Sequence, residues 1–331
     1  MKKIILLFII IPTIKMAQVP QKVIVEHFTN TKCSVCASRN PGFYTNYNNQ
    51  SGVMHIAYHP SSPYSACAFS QHNPSENDAR TNYYGIYGGT PRLVIQGVVI
   101  SSASDYNSAS MFTPYLAKTS PASIKLYQQK FGLDSIHTRV VIKAEATHTL
   151  SNLVVNVGLA EDTIYYTGSN GENVHYDVFR KSLTASLGFS VTLPSIVGDS
   201  VVLNYSTPSN VAWNFSRIFS YAILQDAVTK EIIQAEKISA KTNQILSVDE
   251  FKDSYEINVF NNRNVIVIES DIELISAEFK LIDLSGRTVI KQMVTGKQLA
   301  IDASTFEKGL YIYNLKAENG LIRKGKLMLR H

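Results

Sequence analysis

The stretch that most constrains this chain runs from Val23 to Pro41, VIVEHFTNTKCSVCASRNP. Val23 to Phe28 reads as a strand, with the polar pair Glu26 and His27 near its end. A short polar loop, Thr29 to Lys32, leads into Cys33-Ser34-Val35-Cys36, and helix-compatible residues follow. A strand that delivers Cys-x-x-Cys to the start of a helix makes a reactive site. The first thiol sits where unpaired backbone N–H groups and the positive end of the helix dipole support a thiolate, and Lys32 adds a positive charge next door. Two cysteines at this spacing can also close a disulfide on each other.

Further along, Gly88-Gly89-Thr90-Pro91 leads into the apolar run Leu93-Val94-Ile95. A Thr-Pro bond just before a strand is a candidate cis-proline. Pro41 falls inside the expected helix, where a proline bends the chain. Strand, Cys-x-x-Cys, Pro41 and Pro91 together resemble the thioredoxin superfamily over roughly residues 20 to 118. The resemblance implies that Cys33 attacks a substrate and Cys36 resolves the product. Pro91 would then present the Thr90 backbone to an extended substrate segment. Glu26 or His27 would move the Cys36 proton, or either would simply face solvent at the end of the strand.

Met1-Lys2-Lys3 followed by the apolar run Ile4 to Ile14 has the form of a signal peptide, expected to end near Ala17. It is too short to span a membrane, and no later run is long enough to cross as a helix. Export permits disulfides. The chain has only three cysteines, Cys33, Cys36 and Cys67, so one pair and one free thiol are expected. At +5, the net charge is too small to suggest a nucleic-acid partner. Charged residues make up 17% of the chain and tyrosines number 18, a neutral, Tyr-rich surface typical of exported β-rich proteins. The sequence contains no Gly-x-Ser-x-Gly elbow, P-loop, His-Glu-x-x-His or dinucleotide fingerprint.

In chain order, Gly52 to His59 reads as a second strand, Pro60 to Pro74 as a loop holding Cys67, Glu76 to Tyr84 as a helix, and Ser104 to Ala117 as a last helix. From Ala122 to about Ile238 the pattern alternates at period two, as in Thr138 to Ala144, Leu153 to Leu159 and Ile218 to Leu224, with turn signals such as Ser169-Asn170-Gly171 between runs. That spacing indicates a β-sandwich. Asn173 to Arg180 is an unusual polar-aromatic stretch within it. Lys241 to Ser247 reads as a linker, and a second alternating region begins at about Glu256. The expected fold is therefore an α/β thioredoxin-like N-terminal domain followed by two all-β, Ig-like sandwich domains. Their expected bounds are 18–119, 120–245 and 246–331, after a signal peptide over 1–17.

The last of these resembles the C-terminal sorting domain of type IX secretion cargo. The matching pieces are Leu281-Ile282-Asp283-Leu284-Ser285-Gly286-Arg287, Lys308-Gly309-Leu310-Tyr311-Ile312 and the closing basic strand Lys324 to Arg330. It departs from that pattern at Phe260-Asn261-Asn262-Arg263, which lacks the usual Asn-Pro. An Ig-like adhesive or spacer module is the plainer alternative. As a whole the chain resembles the outer membrane protein 28 family, whose Val-x-x-Glu-x-Phe-Thr-x-Thr-x-Cys-x-x-Cys stands here as Val23 to Cys36. The resemblance implies a protein of the cell surface, outer membrane or medium that engages the type IX translocon through its C-terminal domain.

Three functional readings stay open. One is a thiol–disulfide oxidoreductase with Cys33 and Cys36 catalytic and Lys32, Thr90, Pro91, Glu26 and His27 in support, acting on protein or peptide thiols without a cofactor. Another is a non-catalytic surface binding protein with a structural Cys33–Cys36 disulfide. The third is copper binding by thiolates with His27, His55, His59 or His72, although their spacing matches no tight ligand motif and no metal residues are assigned.

Overall fold

The structure, a computed structural model, describes residues 18–131, 135–241, 257–262, 264–316 and 322–329. The expected signal peptide and nearly all of the expected linker lie outside the described residues. After a two-residue strand β1 (Val19–Pro20), strand β2 (Val23–Phe28) is buried at every position. Burial on both faces needs cover on both faces, and the alternating side chains meet two different cores. Val23, Val25 and His27 pack toward helix α1 (Ser34–Asn48), among Phe43, Leu93 and Tyr106. Ile24, Glu26 and Phe28 point the other way.

Strand β3 (Val53–Tyr58) runs parallel to β2, with Val23 opposite Val53. Helices α2 (Ala68–His72) and α3 (Pro74–Tyr83) follow. Cys67 caps α2, so the loop expected over Pro60 to Pro74 contains a short helix. Strand β4 (Arg92–Ile95) is antiparallel to β2, and β5 (Val98–Val99) folds back on β4. The tight turn between them puts Gln96 and Gly97 at positive φ, 50° and 83°. At Gly97 a Cβ would lie 1.8 Å from the Lys230 carbonyl oxygen, so only glycine fits. The helix expected over Ser104 to Ala117 does not form beyond a single turn at Ala109–Met111. Asp105 instead accepts from the Asn107 backbone and side chain, bonds that compete with a helix.

The next strands are β6 (Thr119–Ser120), which pairs with β1, β7 (Ala122–Phe131), β8 (Ser135–Ala144), β9 (Leu153–Glu161), the short hairpin β10 (Ile164–Tyr165) and β11 (Val174–His175), β12 (Val178–Ser182), β13 (Phe189–Ser190), β14 (Ser200–Pro208), β15 (Ile218–Asp226) and β16 (Ile232–Lys237). They form two facing sheets, the larger of which is shared with the N-terminal strands. Five of them join the N-terminal strands in one nine-stranded sheet of order β16-β15-β9-β12-β3-β2-β4-β5, with β13 also on β9. The joint is a parallel bridge of Val178 to Ala57, reinforced by Ala57 N–H donating to the Asp177 carbonyl at 2.8 Å. A three-stranded sheet, β14-β8-β7, covers the β9 and β15 end through Ile124, Val140, Ile142, Val155, Val157 and Leu224.

One apolar cluster crosses the joint, uniting Phe28, Ile56 and Tyr58 with Phe179, Phe219, Ile223 and Ile232. Inside it Glu26 is gripped by Arg80, with Nε to Oε2 at 2.6 Å and Nη2 to Oε1 at 2.8 Å. The Tyr84 hydroxyl donates to the same carboxylate, and Gln225 on β15 bonds both Arg80 and Tyr84. N-terminal and middle segments therefore share both a sheet and a buried polar network.

The C-terminal unit is a five-stranded sheet of β17 (Ile257–Asn262), β18 (Val265–Ile282), β19 (Thr288–Asp302), β20 (Gly309–Lys316) and β21 (Ile322–Leu329). The long strand β18 pairs with β17 along its first part and with β20 along its last, and its register against β19 shifts between Glu269 and Ala277. Ile266, Ile268, Phe279, Leu281, Leu315 and Leu327 fill its own core.

Candidate functional site

Cys33 caps α1 in extended conformation, and its sulfur accepts a hydrogen bond from the Cys36 backbone N–H at 3.1 Å. The first turn of a helix has no internal partners for its N–H groups, so this bond supports negative charge on the sulfur. The Cys33 thiol in turn donates to the Thr90 carbonyl at 3.4 Å, a partly buried contact. The Thr90–Pro91 peptide is cis. The helix start and the proline turn are thus brought to one sulfur. Cys33, Cys36 and Cys67 are all free thiols here.

Cys33 is 3% exposed and Cys36 is fully buried. Burial, and next the Cys33 sulfur, push the Cys36 thiol up to about 12, while the hydroxyls of Thr90 and Thr29 pull it back down. The Thr90 hydroxyl is buried and has no completed hydrogen bond among the described residues. Lys32 is exposed, and its backbone N–H donates to Asn30 Oδ1 at 3.0 Å.

The two candidates for proton transfer separate cleanly. Glu26 belongs to the opposite face of the sheet from α1, locked to Arg80. His27 lies on the α1 face, against Phe43 and Tyr44. Its Nδ1 meets His55 Nε2 at 3.3 Å, and His55 Nδ1 meets Asp177 Oδ2 at 3.3 Å. Lys237 Nζ closes the row on Asp177 Oδ2 at 2.9 Å. A carboxylate only accepts, so His55 carries its proton on Nδ1 and accepts at Nε2. His27 Nε2 is buried and completes no hydrogen bond among the described residues, although the Asn40 side chain favours the protonated ring against the effect of burial. Burial, and then His55 and His59, hold His27 well below the ordinary histidine range; burial lowers His55 too, against the pull of Asp177.

The turn between β10 and β11 lies over the cysteine loop. Asn170 N–H donates to the Thr31 carbonyl at 3.1 Å, and its side-chain amide reaches the carbonyls of Asn30 and Cys33 at 3.2 and 3.1 Å. Gly168 is packed so closely that a Cβ would lie 2.7 Å from the Thr31 carbonyl oxygen. In sequence, Ser169-Asn170-Gly171 signals only a turn, and nothing there points to Cys33. The polar-aromatic stretch Asn173 to Arg180 was the visible hint: it holds Asp177 and the bridge to β3.

Cys67 is buried, with its sulfur 3.3 Å from Thr31 Oγ1. Among the described residues no three His, Cys, Asp or Glu side chains are grouped to hold a metal ion, so the copper alternative lacks a ligand set there. No helix among the described residues is long and apolar enough to cross a membrane.

Residues 258–329 match the secretion system C-terminal sorting domain family. No curated protein matches the chain in sequence. Among solved structures, the chain is similar to HBP35 of Porphyromonas gingivalis, with a TM-score of 0.57 at 15% identity over 94% of this chain and 99% of that one. A domain of the outer membrane lipoprotein Omp28 from Porphyromonas gingivalis aligns with 38% of this chain and 92% of its own, at 16% identity and a TM-score of 0.28. The overall fold is thus shared with HBP35. The C-terminal strands are a type IX sorting domain that engages the secretion machinery, and the protein is exported to the cell surface or the extracellular space.

Proposed function

We propose that this exported protein is a thioredoxin-like thiol–disulfide exchange protein, with Cys33 as the attacking sulfur and Cys36 as the resolving one. The observation that carries the reading is the Cys33 sulfur held between the Cys36 N–H and the Thr90 carbonyl. The strand order β3-β2-β4-β5, with α1 between two parallel strands and a cis-proline before β4, supports the thioredoxin-like assignment. Thr90 and Pro91 would bind an extended protein or peptide segment carrying the disulfide, and no cofactor is needed for exchange. The test is reduction of insulin, or refolding of a reduced, scrambled substrate, by the mature protein. Wild type accelerates the reaction and Cys33→Ser does not; equal behaviour of the two defeats the reading.

The second reading, a surface binding protein whose cysteine pair is inert, is favoured by the deep burial of Cys36 and the small exposure of Cys33. Trapping of a mixed disulfide by Cys36→Ala separates the two, since an inert pair traps nothing.

A further inference from the structure

The sheet of the sorting unit has two faces, and its own core uses one of them. Phe279 and Leu281 on β18, Tyr311 and Leu315 on β20, and Leu327 and Leu329 on β21 point into that core. Alternation sends the residues between them to the opposite face, where strand register sets them in rows. Lys291 on β19 lies opposite Lys280 on β18, Lys280 opposite Asn314 on β20, and Asn314 opposite Lys324 on β21. Beside this row, Glu278 stands between Met293 and Lys316. On its other side Ile312 lies opposite Lys326, and Leu310 opposite Met328. Glu278 is the one carboxylate in these rows, and Lys280 and Lys291 already bind its two oxygens, at 2.5 and 2.9 Å. Lys316, Lys324 and Lys326 are exposed and have no carboxylate partner among the described residues. Between and beside them Met293, Met328 and Ile312 are 54%, 44% and 42% exposed.

We propose that this outer face of β18, β20 and β21 is the docking surface of the sorting unit, and that its partner is an acidic protein surface of the secretion machinery. Exposed aliphatic side chains bordered by charge are the make-up of a protein interface, with an apolar centre and a polar rim. The three uncompensated lysines draw in and orient a partner of opposite charge. Ile312 and the two methionines then supply the area that closes against it, and methionine adapts its shape to a partner more readily than a branched side chain does. Anionic lipid also carries negative charge, but a membrane-surface element keeps its apolar side chains on a separate face that sinks below the headgroups. Here the aliphatic side chains alternate with lysines on the same strands, so they cannot enter a bilayer without taking the lysines with them. An acidic protein patch meets both kinds of side chain at one level.

The test is export of the full chain by cells with a type IX system, read as the share of the protein found outside the periplasm. The triple variant Lys316→Glu, Lys324→Glu and Lys326→Glu is expected to lower that share about tenfold, because like charges then meet across the interface. Lys316→Arg, Lys324→Arg and Lys326→Arg together keep the charge and are expected to leave export as in wild type. Lys118→Glu, Lys125→Glu and Lys241→Glu make the same change of net charge elsewhere on the surface, and export is again expected to match wild type. Melting of the purified Glu triple at the wild-type temperature assigns its loss to docking. Should it melt earlier, the neutral triple Lys316→Gln, Lys324→Gln and Lys326→Gln decides, with an intermediate loss of export expected. Normal export of the Glu triple, or an equal loss in the Arg triple or in the distant triple, would overturn the proposal. So would sedimentation of wild type, but not of the Glu triple, with vesicles of phosphatidylcholine and phosphatidylglycerol, which gives the face to anionic lipid. Normal export of a chain lacking residues 250 to 331 speaks against the sorting role itself rather than against this face.

Discussion

Asn170 donates its side-chain amide to the carbonyl of Cys33 at 3.1 Å, across 137 positions of the chain. The residue that begins the helix of the cysteine pair is therefore held by a turn of the middle segment. The same segment supplies Asp177 to the histidine row and Gln225 to the Glu26–Arg80 pair. The N-terminal segment is consequently expected not to fold alone. Residues 18–119 made in isolation should lack the dispersed amide spectrum that residues 18–241 show. A native-like spectrum for the shorter fragment counts against a shared core.

Glu26 and Arg80 form a fully buried, bidentate pair. Removing one member leaves the other charged and unpaired in an apolar interior. Glu26→Ala is expected to lower unfolding stability by about 3–5 kcal/mol in a urea melt. Because Glu26 faces away from α1, iodoacetamide labelling of Cys33 in the folded variant should keep its wild-type rate. A stable variant with altered thiol reactivity would place Glu26 in the chemistry after all.

His27 and His59 are fully buried and neutral, each held well below the ordinary histidine range, chiefly by burial. The unfolded chain binds protons near the ordinary value of about 6.5 and the folded one does not. Their stabilising contribution is complete above that pH and is lost as pH falls from it toward the folded values. The loss is about 1.4 kcal/mol per histidine for each pH unit. Asp177, which burial pushes up but His55 and Lys237 hold lower, loses its contribution only at more acid pH. The melting temperature should fall clearly between pH 7.5 and pH 5. A flat profile over that window would mean that both imidazoles are solvated or paired.

The sorting unit has a core of its own, filled by residues from Ile257 to Leu329. Deleting residues 250 to 331 should leave the remainder folded but held in the periplasm. Cell fractionation reads the outcome, and normal appearance of the truncated protein outside the cell would contradict the role of this unit.

The local elements were legible because each is specified by near neighbours. The strand Val23 to Phe28, the Cys-x-x-Cys after it, the Thr-Pro before β4 and the alternating strands all lie where the sequence pattern puts them. The boundary near residue 119 was legible only as a change of period, from mixed helix and strand to strand alone. Period says how a strand faces its core and nothing about which strand it pairs with. The pairing of β12 with β3, which makes one sheet of two segments, depends on a short stretch in which the Asp177 backbone completes the edge of β3.

The sequence by itself determined that two sulfurs stand at a helix start beside a proline turn, because residues a few positions apart fix those geometries. Only the tertiary structure decided what surrounds the sulfurs. Whether Glu26 or His27 shares a face with α1 depends on which side of β2 each layer packs. The partners Asn170 and Asp177 come from more than a hundred residues away, where a hydrogen bond leaves no periodic mark in the chain.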